Sequence, residues 1–83
     1  MNFRVYIVLE MPILDKKYEL VVPIDKRIHE FINLLRTNIP ELQENYYKDK
    51  MPSLYNKSNG ELYDMNLFIK DSNIKTGTRL LLI

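Results

Sequence analysis

The chain has no cysteine, no tryptophan, one histidine and only two glycines among its 83 residues. Without thiols there is no disulfide framework, no thiolate nucleophile and no thiolate metal ligation, which fits a reducing compartment. A lone histidine cannot assemble a zinc set, and Gly60 and Gly77 stand too far apart to form a glycine-rich phosphate loop. Long hydrophobic runs are missing too. The apolar opening, Phe3 to Leu9, is interrupted by Arg4, closed by Glu10 and followed by no small-residue cleavage site, so it is read neither as a signal peptide nor as a membrane span. Charge of one sign is also scarce. The formal net charge is +1, residues 1–45 carrying six basic and seven acidic side chains and residues 46–83 six and four. A nucleic-acid binder would gather Lys and Arg on one face and raise the pI well above the 7.9 found. These absences predict a cytoplasmic protein with no nucleic acid partner and no direct membrane insertion. Its length predicts one domain over residues 1–83, near the size where a single core must be used fully.

What is present centres on Asp25 to Ile39. Ile28, Phe31, Ile32 and Leu35 recur at helical spacing, with Ile39 one turn on, while Lys26, Arg27, Glu30, Asn33 and Arg36 fall off the stripe. Asp25 is the expected N-cap, with no capping box because Ile28 occupies the position where Glu or Gln would be needed. Pro40 stops the helix by driving Ile39 out of the α region. Burying such a stripe is worth about 1.5–3 kcal/mol per side chain, so it requires a sheet to lie on.

The rest of the chain supplies one. Phe3, Val5, Ile7 and Leu9 alternate with Arg4, Tyr6, Val8 and Glu10, the pattern of a half-buried strand. After a turn over 11–17 the chain returns with Tyr18, Leu20 and Val22 on one face, Glu19 and Val21 on the other, and Pro23 ending the pairing. Residues 40–53 read as a loop that admits a short helical turn over 41–47. Asn59-Gly60 predicts a hairpin between short strands at 54–56 and 62–63, since both turn residues tolerate positive φ. The stretch 64–76 has little periodicity, with Leu67, Phe68 and Ile74 as isolated core plugs, and 78–83 is a closing apolar strand. The order predicts an α+β fold: a β-grasp, with a mixed four- to five-stranded sheet packed on one main helix and the last strand inserted beside the first, parallel to it.

Tyr18-Glu19-Leu20-Val21-Val22-Pro23 ahead of the helix, Asn59-Gly60 with Leu62, and Ile74 through Ile83 resemble the ubiquitin-like fold. More closely, nearly the whole chain resembles the YukD family, small bacterial ubiquitin-like proteins encoded with type VII (ESX-like) secretion systems. The segment 41–52 departs from ubiquitin's equivalent in being longer and richer in Tyr and Lys. The resemblance implies a non-catalytic protein-interaction module whose partners are secretion-machinery components. Ubiquitin and the sulfur carriers of its fold end in a flexible Gly-Gly tail; the sequence at Ile83 shows none, so conjugation and sulfur transfer are not expected.

No enzyme, cofactor or metal site is read from the residues. His29 flanks the helical stripe with no Asp to orient it, and Ser53, Ser58 and Ser72 lack a nucleophile elbow. Asp71-Ser72-Asn73 lacks the Gly and Glu of a calcium loop, Thr76 and Leu82 standing in their places. Asn56-Lys57-Ser58 matches a glycosylation sequon without a secretory signal. Tyr46, Tyr47, Tyr55 and Tyr63 near Lys48, Lys50 and Lys57 form an alternative, base-stacking set. The favoured candidate is the outer sheet face, where alternation places Tyr6, Val8, Val21, Tyr55, Arg79, Leu81 and Ile83, with Ile13 and Leu14 in the first turn as an extension. These match the positions where ubiquitin gathers its recognition patch.

Overall fold

In the computed structural model, which describes residues 3–83, β1 (Arg4–Met11) and β2 (Lys16–Pro23) form an antiparallel pair from Arg4 opposite Pro23 to Met11 opposite Lys16. The alternation read from β1 is realised, with Ile7, Leu9 and Met11 buried and Tyr6 outward. Phe3, expected on the core face, is instead 59% exposed, because it precedes the strand. The connecting turn is a 3₁₀ turn over Pro12–Leu14 closed by Asp15 at φ 52°, a left-handed position that Asp tolerates. The Ile24 N–H donates to the Phe3 carbonyl at 2.9 Å, which fixes the ladder: even-numbered residues of β2 bond to β1. Pro23 thus faces the free edge, where its missing N–H costs no ladder bond.

The helix α1 spans Ile28–Asn38 and buries Ile28, Phe31, Ile32 and Leu35. Its start differs from the expectation. The N-cap is Arg27, not Asp25, and the first-turn donors find backbone acceptors: Ile28 N–H bonds to Leu67 O at 2.9 Å and His29 N–H to Met65 O at 3.0 Å. Half of a capping box is present after all, since the Glu30 carboxylate accepts from the Arg27 N–H at 3.0 Å. Ile39 ends the helix in extended conformation ahead of Pro40, as that proline demands.

Residues 40–53 run through two 3₁₀ turns, Pro40–Gln43 and Asn45–Tyr47, which plug Leu42 and Tyr47 into the core. The Tyr47 hydroxyl donates to the Leu82 carbonyl at 3.3 Å, and burial pushes its pKa up. β3 (Leu54–Asn56) and β4 (Arg79–Leu82) complete a sheet of order β2-β1-β4-β3. β4 is parallel to β1 and antiparallel to β3, the inserted position expected of an apolar closing strand. Leu80 and Leu82 are fully buried.

The hairpin after β3 is only partly as expected. Its second arm is a single bridge, Tyr55 to Leu62, and only Gly60 takes positive φ, at 73°. The Asn56 side chain organises the turn instead, its Oδ1 accepting from the Ser58 N–H at 2.9 Å. In the stretch 64–76, Ile69 is the fully buried residue and Ile74 is nearly so. Phe68 is no plug: it lies half-buried beneath the Arg27 guanidinium, 4.3 Å from its ring centroid.

Candidate functional site: the outer sheet face

The strand registers arrange the outward side chains in three rows. In the first, Tyr6 lies opposite Val21, and both are well exposed. In the second, Glu19, Val8 and Arg79 follow one another across β2, β1 and β4, and Lys57 comes next because its N–H donates to the Arg79 carbonyl at 3.0 Å. In the third, Lys17, Glu10, Leu81, Tyr55 and Leu62 cross the whole sheet. Ile83 lies two residues beyond Leu81 on the same face, held by reciprocal backbone bonds with Ser53 of 2.8 and 2.9 Å.

All seven residues expected on this face are there, but they do not form one apolar patch. Tyr6 and Val21 make one small area; Leu81, Tyr55 and Ile83 make another. Between them runs polar ground, with Arg79 and the Glu10–Lys57 ion pair at 2.5 Å. The hydrogen bond from Lys57 holds the Glu10 carboxyl below its ordinary value, aided by the charges of Lys57, Lys17 and Arg79. Sequence reasoning missed Leu62, 55% exposed and opposite Tyr55. The signal was available, since a hairpin through Asn59-Gly60 puts the two side by side. It also missed the ion pair, which joins residues far apart in sequence. Of the turn residues, Ile13 is exposed whereas Leu14 packs against the core.

The other candidate groups have structural occupations. Ser72 Oγ donates to the Ile69 carbonyl at 2.6 Å and accepts from the Ile74 N–H at 3.0 Å. Asn56 of the sequon is buried and bonded to Tyr63. The base-stacking set is divided, since Tyr47 and Tyr63 belong to the core and only Tyr46 and Tyr55 offer rings to solvent. Among the described residues no group of His, Cys, Asp or Glu is placed to hold a metal ion, and no helix is long and apolar enough to cross a membrane. A feature with no clear sequence signal is an apolar groove of about 390 Å³ between β2 and α1, lined by Tyr18, Leu20, Val22, Phe31, Leu34 and Ile39 among others.

No protein-family model and no curated protein matches the chain by sequence. Solved structures do match its shape. A chain from a structure described as "Molecular Mimicry of SUMO promotes DNA repair" has a TM-score of 0.78 at 13% identity, with 100% of this chain and 94% of that one covered. The N-terminal ubiquitin-like domain of the 4931431F19Rik protein gives 0.72 at 11% identity, covering 100% and 76%. A chain of the MycP5-free ESX-5 inner membrane complex gives 0.71 at 10% identity, covering 99% of this chain but 21% of that one. The fold is therefore the ubiquitin-like β-grasp. Identities this low establish fold and leave function to the site.

Proposed function

We propose that residues 1–83 act as one non-catalytic ubiquitin-like module that binds protein partners through the outer face of its sheet. By its resemblance to the YukD family, the module is a cytoplasmic accessory of a bacterial type VII secretion system. The observation that carries the docking surface is Leu81, a large apolar side chain pointing outward from a strand in the middle of the sheet, flanked by Tyr55 and continued by Leu62 and Ile83. A solvated face does not need that grouping. The ESX-5 chain that carries the same fold supports the secretion reading. The test is Leu81→Asp. Its side chain lies off the core, so circular dichroism and melting should stay close to wild type, while purification from the native cell should lose the secretion components that wild type retains. Unchanged recovery of those components would place docking elsewhere.

A further inference from the structure

Among the described residues, one edge of the sheet is closed and the other is open. At β3 the Leu62 arm covers the backbone, with Asn56 N–H bonded to Glu61 O at 2.8 Å and Tyr63 N–H to Leu54 O at 3.0 Å. β2 is the end strand on the other side. Because its even-numbered residues bond to β1, the N–H and C=O groups of Lys17, Glu19 and Val21 project from the free edge. Along the inner flank of that edge runs the apolar groove against α1, with Leu34 45% exposed at its rim. An uncovered edge beside apolar surface is a template for another strand.

The charges on the edge identify the strand that fits. Lysines usually protect an edge by leaving an unpaired charge there. Here Lys17 and Glu19 are of opposite sign two residues apart on the same face, and neither is in an ion pair among the described residues; Glu10, across from Lys17, is already taken by Lys57. Such a pair is complementary to itself when a second β2 runs antiparallel. Five two-fold registers centred from Lys17 to Val21 keep the projecting peptide groups facing each other. Centred on Lys17, the two ammonium groups collide, and centred on Val21, Glu19 meets Pro23, which has no N–H. Centred on Glu19, the two carboxylates collide. Centred on Leu20, Glu19 meets Val21 and Lys17 meets Pro23, which has no N–H. Centred on Tyr18, Lys17 of each copy meets Glu19 of the other, twice, and the two Tyr18 rings pair on the groove side. We propose that this chain self-associates through β2 about a two-fold axis at Tyr18, joining two four-stranded sheets into one.

The inference is independent of docking through the outer face. Sedimentation and native mass spectrometry on the full chain, up to about 1 mM, should reveal a weak dimer that salt disperses. K17E and E19K substitute exposed edge residues and should each weaken the dimer about tenfold or more, since each places like charges opposite one another twice. An equimolar mixture of the two variants should recover it as a mixed dimer, because one chain is then acidic and the other basic at both positions. In the dimer, amide exchange should slow at Lys17 and Glu19. A wild-type chain monomeric at that concentration, or a dimer indifferent to K17E and E19K, or a mixture that fails to form mixed dimer, would overturn the proposal.

Discussion

Asn56→Ala tests the account of how the hairpin is held. Asn56 is 8% exposed, the one buried polar residue in the core region among the described residues. Its Oδ1 accepts from the Ser58 N–H at 2.9 Å and, at 3.4 Å, from that of Asn59; its Nδ2 donates to the Tyr63 hydroxyl at 3.0 Å, which in turn donates to Asn73 Oδ1 at 2.6 Å. The two short bonds are worth about 1 kcal/mol each net, and truncation adds a small cavity, so the loss should be about 2–3 kcal/mol. For a domain of this size that lowers the melting temperature by roughly 10–20 °C. Tyr63→Phe should cost about 1–3 kcal/mol, chiefly because it strands a buried amide donor. The Asn56–Tyr63 bond is lost in both variants, so the double mutant should fall short of additivity by about 1 kcal/mol. Chemical denaturation of the four proteins gives the cycle. Additivity within about 0.3 kcal/mol would refute the network, whatever the single losses were.

The helix start gives a paired prediction: Glu30→Ala should cost about 0.5–2 kcal/mol, the range for a lost cap, whereas Asp25→Ala should stay within about 0.5 kcal/mol because Leu67 and Met65 supply the acceptors. Acid sensitivity follows from Glu10, whose carboxyl the Lys57 hydrogen bond holds below its ordinary value in the folded chain. A depressed carboxylate contributes stability that is present above the unfolded value and lost as pH falls through the folded one, so Lys57→Met should flatten the loss of stability below that value; an unchanged acid limb would remove Lys57 from the account.

Much of the fold was legible because it rests on periodicities. Period two separated Ile7 and Leu9 from Tyr6 and Val8, helical spacing found Phe31 and Leu35, and the apolar run at 80–83 identified a strand bonded on both sides. What stayed hidden depends on contacts between distant segments. Asp25 was a sound N-cap by local chemistry, but the loop at 65–67 offers its own carbonyls to the first-turn amides and moves the helix start to Ile28. Ile69 and Tyr47 lie in 3₁₀ turns, where no amphipathic period marks the buried residue. Phe68 looked like core because it is aromatic, yet Arg27 covers it.

The candidate site was legible to the extent that it is set by parity, and it became obscure where charge intervenes. Alternation along β4 forces Arg79 and Leu81 outward once Leu80 and Leu82 face the helix, and register then brings Tyr55 beside Leu81 without further information. Parity says nothing about Lys57, which follows β3 in a turn and reaches across β4 to Glu10 on β1. That reach divides the face into a Tyr6–Val21 area and a Leu81–Tyr55–Leu62 area. A partner gripping only the second would bury apolar side chains around Leu81 and leave the ion pair at its rim, where charges tune encounter more than affinity. A partner spanning both areas would have to desolvate Glu10 and Lys57 together, which is costly unless it supplies their remaining hydrogen bonds. The smaller footprint, centred on Leu81 and bounded by Glu10 and Lys57, is therefore the one this surface favours.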